Sequence, residues 1–348
     1  MLSRERVFRV FKRVLARFGV RVSRLERDAQ RYMLSSFDDS TPLPPGARDE
    51  VRSDHPRLRE LRRRYDTLEA PAAVPSQWTA DFLDEELTLP WFRGDNAYVW
   101  QYREFKEGAE LRMYVALLDV ASRDDLSLLD RLEEDGAFGA WTFQYGERRP
   151  LSRDLLDSVN EINYLNSQIG FADSKDLSVL DIGAGYGRLA HRMAHVFPHV
   201  KYDCIDGVAE STFLSEYYLN YRCANADVRV VPLDAHEMLA DTYTVAVNVH
   251  SFSECTHAAI EWWLDRIAER DVEWLFIVPN HPTDLLSTET DGTHRDFSQL
   301  IADAGYELVD SRPQHQNDEF RSLIGLEHRY FLFRHAQPLD CMAASRAP

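Results

Sequence analysis

Hydrophobic and polar positions divide this chain into stretches of different habit. Residues 1–34 place Val7, Phe8, Phe11, Val14, Leu15, Phe18, Val22 and Leu25 at helical intervals among arginines, which predicts a basic amphipathic helix interrupted at Gly19. Residues 35–77 read as a Pro-rich connector carrying one short charged helix over 56–68. Residues 78–170 are crowded with aromatics and predict a mainly helical subdomain, its periodicity clearest over 110–134. A further helix over 152–169 starts at Ser152 as N-cap. At 178 the habit changes. The apolar run Val179-Leu180-Asp181-Ile182 meets Gly183, Gly185 and Gly187, after which Leu189, Ala190, Met193, Ala194 and Phe197 share a helical face, so the stretch predicts strand, tight turn, helix. Further strands are predicted up to Asp206, over 228–233 ahead of Asp234, and over 243–250, 272–279, 306–312 and 327–335. Helices are expected over 256–270 and near 294–304, with a long loop over 312–326. This β/α alternation, ending in two successive strands, predicts an α/β domain over 171–337 and leaves 338–348 as a tail.

Composition narrows the class. The chain has 348 residues with 44% hydrophobic and 11% aromatic content, enough to fold around a large core. Its formal charge is −18, and the distribution is uneven: ten basic against three acidic side chains put residues 1–31 at +7 and the remainder at −25. An acidic body repels phosphate backbones, so nucleic acid is not an expected partner. The basic helix fits either a membrane surface or packing against an acidic surface, including a second subunit in a homodimer. Cys204, Cys223, Cys255 and Cys341 lack metal-ligand spacing and fit reduced thiols, hence a cytoplasmic protein.

The candidate chemistry gathers around the glycines. Positive φ at a strand-to-helix turn and the unpaired N–H groups of the helix N-terminus make a cradle for a small molecule. A dinucleotide fingerprint needs a third glycine where this chain has Arg188, which disfavours NAD and FAD. Asp206, 19 residues beyond Gly187 at a strand end, is placed to accept hydrogen bonds from ribose hydroxyls. Asp234 is expected to take an adenine amino group. His250 ends the next strand, where ligands of open parallel sheets sit, and has the pKa range of a general base. Ser251 and Glu254 follow it, Glu254 as a partner for the imidazole or for an acceptor hydroxyl. The segment 91–103, with Trp91, Arg93, Tyr98 and Trp100, is expected to bind the acceptor, because aromatic faces beside polar groups suit sugars. The polar run Asn160, Glu161, Asn163, Tyr164 and Asn166 is expected to border the site, Tyr164 among its acceptor contacts. Asn280 and His281 lie at another strand end as further acceptor candidates.

The motifs LLDSVNEINYL, VLDIGAGYGRLA, IDGVAESTFLSEYYL and NVHSFSECTHAAIEWWLDRI resemble a family of sugar O-methyltransferases over residues 150–335. The resemblance implies the Rossmann-like, seven-stranded class I methyltransferase sheet with an antiparallel last strand, S-adenosyl-L-methionine as donor, and a carbohydrate hydroxyl as acceptor. It also implies a helical N-terminal part that shapes the acceptor pocket. By it, Asp181, Gly183, Gly185 and Asp206 map to the donor, and His250, Ser251 and Glu254 to the reaction centre. A proline-containing turn is expected after Asp206, where this chain has Gly207-Val208. Arg93, Arg103 and Arg112 are compatible with a carboxylate-bearing acceptor. Mg²⁺ could acidify the hydroxyl, yet no crowded set of acids stands at the strand ends, which favours metal-independent base catalysis. Two other readings stay open: methylation of a phenol or carboxylic acid, and donor binding without catalysis.

Overall fold

The structure, a computed structural model, describes residues 43–94, 96, 98–101 and 108–336. The basic helix expected over 1–34, Arg103 and the tail 338–348 lie outside the described residues. Seven strands form one sheet: β1 Ser178–Ile182, β2 Lys201–Asp206, β3 Val228–Pro232, β4 Tyr243–Val249, β5 Val272–Val278, β6 Tyr306–Pro313 and β7 Arg329–His335. Their order is β3-β2-β1-β4-β5-β7-β6, and β7 alone runs against its neighbours. This is the class I methyltransferase sheet that the sequence implied. The central strands are apolar throughout because both faces are covered: Leu180, Val245, Ala246, Leu275 and Phe276 are fully buried.

The flanking helices are α1 Ala47–Glu50, α2 Pro56–Tyr65, α3 Ala80–Glu86, α4 Ala109–Ala121, α5 Leu128–Arg131, α6 Arg153–Ile169, α7 Arg188–Val196, α8 Ala209–Cys223, α9 His257–Ala268, α10 Ser298–Asp303 and α11 Asp318–Ile324. Ser152 caps α6, its Oγ accepting from the Leu155 amide at 3.1 Å. The helical periodicity over 110–134 is carried by two helices, α4 and α5. Asp124 accepts from the amides of Leu128 and Leu129 at 2.8 Å each, and Ser127 takes φ 53°, so the chain restarts as α5. Inside the loop expected over 312–326 lies α11, opened by Asn317 accepting from the Phe320 amide at 3.0 Å and closed by Gly325 at φ 75°.

Three features of the sheet set the site. Its strand order reverses beside β1, which leaves a crevice at the carboxyl ends of β1 and β4. Val249 pairs with Val278, so β4 and β5 end together and release His250 and Asn280 at the same edge. Because β7 is antiparallel, it begins at the edge where the other strands end; Ile277 opposes Phe331, and His328 just before β7 joins that edge. The connector then packs over this edge. Arg57 of α2 forms a two-pronged ion pair with Glu216 of α8 at 2.9 and 2.6 Å, and Tyr65 bonds Thr212 at 2.9 Å. A Cβ on Gly207 would lie 2.5 Å from the Ala72 carbonyl oxygen. The glycine at 207, where a proline-containing turn was expected, is therefore a close approach between connector and sheet.

Candidate active site

The glycine loop, the ends of β2 and β4, the connector and the first turns of α6 enclose a cavity of about 1030 Å³. Gly183, Gly185 and Gly187 all take positive φ, at 72°, 59° and 85°. A side chain on Gly183 would meet Ser251 Oγ at 2.1 Å, and one on Gly187 would meet Leu219 Cδ1 at 2.7 Å. The first contact presses the loop against the residues after β4, and the second seats α7 on α8. Asp206 accepts from the amides of Gly185 at 3.0 Å and Val208 at 2.8 Å, which locks its carboxylate at the loop. Burial outweighs those amides and pushes Asp206 up to about 7. Asp181, buried beneath the loop, is likewise pushed up to about 7 by burial, although Tyr202 donates to it at 2.8 Å. Tyr98 roofs this part: its hydroxyl donates to Ser211 at 3.2 Å and stands 3.4 Å from where a Gly185 Cβ would be.

Across the cavity stands His250 at φ 70°, its amide donating to the Val278 carbonyl at 2.7 Å. Its Nδ1 is buried with no hydrogen-bond partner. Burial, and then His328, Arg153 and Arg188, hold the imidazole well below the usual histidine range, so the ring is neutral at neutral pH. Glu254 is bound on both oxygens, by the Trp78 indole N–H at 2.7 Å and the Asn280 amide at 3.0 Å. Burial still raises its carboxyl above the ordinary value. Ser251, Glu254, Asn280, Tyr98 and Trp100 all line the same cavity as His250 and the glycine loop.

Other expected contacts fall elsewhere. Arg93 is fully buried and donates to Glu134 at 2.7 Å, Asp154 at 3.4 Å and the Ala137 carbonyl at 3.1 Å, so its charge is spent on scaffold. Trp91 is buried under the Arg48 guanidinium, 4.7 Å away, and packs on Gly139. Arg112 donates to the carbonyls of Leu323 and Ile324 at the end of α11. Tyr164 packs against Phe276 and Tyr330 and donates to Asp310 at 2.8 Å. Its neighbours Asn160, Glu161 and Asn163 are buried against Gln314, Arg188 and Asp124, so this run of α6 ties the helix to the sheet instead of bordering the cavity. Asp234 faces α2, where Arg64 binds both its oxygens at 2.6 and 2.7 Å; its carboxylate does not line the cavity. His281 meets His294 edge-on, ring centroids 5.2 Å apart, outside the lining.

The cavity also holds residues that were not expected there: Trp78, Arg153, Asp157 and His328. His328 had a readable signal, since a residue preceding an antiparallel last strand lies at the carboxyl edge of the parallel ones. Trp78 had none beyond being an aromatic in a turn-rich stretch. Among the described residues there is no group of three or more His, Cys, Asp or Glu placed to hold a metal ion. Among them, too, no helix is long and apolar enough to cross a membrane.

No family model matches the chain, and no curated protein matches it. Solved structures similar to it include magnesium protoporphyrin IX methyltransferase from Synechocystis PCC 6803 with bound SAM, at 12% identity over 55% of this chain and 87% of that one, TM-score 0.37. Another is the mitomycin 7-O-methyltransferase MmcR, at 19% identity over 52% and 57%, TM-score 0.37. A third is the 4+2 cyclase SpnF, at 11% identity over 65% and 95%, TM-score 0.40.

Proposed function

We propose that this protein is an S-adenosyl-L-methionine-dependent O-methyltransferase acting on a hydroxyl of a sugar or small glycoside. The observation that carries the reading is that one cavity joins the glycine loop and Asp206 to a neutral His250 with an unpartnered buried Nδ1. The described residues fit the donor. Positive φ at Gly183 and Gly185 keeps the loop backbone bare, and Asp206 offers carboxylate oxygens for ribose hydroxyls. In their ionised forms the buried acids Asp181, Asp206 and Glu254 give a field that favours a cationic ligand.

The donor supplies an electrophilic methyl group: the acceptor oxygen forms the new O–C bond as the S–C bond breaks with its electron pair on sulfur. His250 takes the hydroxyl proton, which a neutral imidazole can do and an imidazolium cannot. Glu254, fixed by Trp78 and Asn280, orients polar groups of the acceptor, and Trp78, Tyr98 and Trp100 give ring faces for its C–H surfaces.

The same aromatic walls suit a planar phenol, the second reading. Incubation with the donor and a panel of methyl glycosides and phenols, followed by mass, should give products heavier by one methyl group. Exclusive methylation of phenols with a flat pH profile would replace the sugar reading, since an acidic phenol needs less help from a base.

A further inference from the structure

We propose that His328 is a second acceptor-binding residue, and that the acceptor presents a vicinal diol, one hydroxyl to His250 and its neighbour to His328. Which hydroxyl reacts rests on the methyl-transfer reading; the binding of the pair does not. His328 precedes β7 and reaches the sheet edge that carries His250, and the two rings meet with centroids 4.7 Å apart at 59°. Both line the cavity, and the Nδ1 of each is buried without a hydrogen-bond partner. Two unpartnered nitrogens on neighbouring rings that both line one cavity are matched by a ligand with two polar atoms close together. A neutral imidazole has one N–H donor and one bare acceptor, which is the complement of a hydroxyl.

The surroundings leave this task to the histidines. Asp157 accepts from Gln314 at 2.8 Å and pairs with Arg153 at 3.3 Å, and Arg188 is held by both oxygens of Glu161 at 2.9 Å. The His328 backbone is also fixed in place, because its carbonyl accepts from the Gln314 amide at 2.9 Å in a continuation of the β6–β7 ladder. His328 therefore orients and His250 takes the proton; no proton need pass between them. A vicinal diol is offered by sugars and by catechols alike, and the shared chemistry is the adjacent pair of hydroxyls.

The test uses the full chain with methyl glycosides that together carry cis and trans diols, their monodeoxy counterparts, catechol and phenol. For the wild type, removing the neighbouring hydroxyl should raise KM by about 10- to 100-fold, the loss of one buried hydrogen bond. His328→Ala should raise the diol KM to the monodeoxy level, keep kcat within about threefold and leave donor affinity unchanged, while His328→Gln restores part of the preference. A His328→Ala protein that discriminates diol from monodeoxy as the wild type does overturns the proposal. A second readout does not need turnover: in protein loaded with S-adenosylhomocysteine, a bound diol should shift the imidazole ¹⁵N signals of both histidines. Shifts confined to His250, or absent from both, overturn it as well. Binding through both rings without methyl transfer to any acceptor sinks the transferase reading and leaves this inference standing. Catechol favoured over the glycosides, or the reverse, identifies the source of the diol.

Discussion

Arg93, Glu134, Asp154, Tyr186 and Arg192 form one buried polar cluster, and His250, His328, Glu254 and Asp206 form part of another. In the first, every member is matched by protein: Glu134 accepts from Arg93 at 2.7 Å, Arg192 at 3.0 Å and Ser152 at 2.6 Å, and Tyr186 donates to Asp154. Burial alone would raise the Glu134 carboxyl, yet the two guanidiniums outweigh it and hold it at about 2. In the second, two imidazole nitrogens have no partner and Asp206 is pushed up to about 7. The first cluster is a completed network that holds the cap on α6 and α7. The second is matched at Glu254 and Asp206 but not at its two histidines, whose Nδ1 atoms were desolvated without being paired. Residue type alone does not separate the two; the state of their hydrogen bonds does.

The sharpest way to break this contrast is His250→Asn, since Asn tolerates a φ of 70° and removes the base. Single-turnover methyl transfer should slow by about 10²- to 10⁴-fold with donor affinity retained; undiminished transfer would take the base role away from His250. Arg93→Met probes the completed cluster instead. It should cost about 3–5 kcal/mol of stability in thermal or denaturant unfolding, with KM and kcat of the folded protein unchanged. The pH dependence carries a sign. Glu134, depressed from 4.5 to about 2, contributes stability that is fully present above pH 4.5 and is lost as pH falls through about 2. Acid unfolding of the Arg93→Met protein should lose part of that slope.

Asp206→Ala should weaken donor binding by about 10- to 100-fold, read by calorimetry. Asp206 and Asp181, raised to about 7, behave in the opposite sense to Glu134. Their protonated forms favour the empty folded protein, so its stability should decline as pH rises from 3.8 through about 7. Donor affinity should climb over the same upper range as the carboxylates ionise, and Asp206→Asn should flatten the climb. The smallest effect belongs to Asp234→Asn, because Arg64 already holds that carboxylate at the α2 interface. Donor affinity should stay within about twofold and stability within about 1 kcal/mol. A loss as large as that of Asp206→Ala would return Asp234 to the donor site.

Much of the frame was legible in the residues themselves. Apolar runs, the glycines at 183, 185 and 187, the capping serine at 152 and the strand-end positions of Asp206 and His250 are properties of stretches of about ten residues, where periodicity and allowed φ decide the outcome. The short helices in 110–134 and 312–326 were less so, because side-chain caps at Asp124 and Asn317 override the apolar pattern. The acceptor side was the least legible. Arg93 looks like a ligand-binding arginine until Glu134, 41 residues on, folds against it, and Tyr164 looks like a site residue until Asp310, 146 residues on, takes its hydroxyl.

The sequence by itself therefore determined the sheet, the turn that bares its backbone, and the acid and the histidine carried to the strand ends, since each follows from local conformation. Only the tertiary structure decided which polar side chains are consumed by partners far along the chain and which remain open to a ligand. It brought Trp78 onto Glu254 and, by reversing the last strand, set His328 against His250. Long-range pairing is governed by topology and desolvation, and neither is written in the spacing of neighbouring residues.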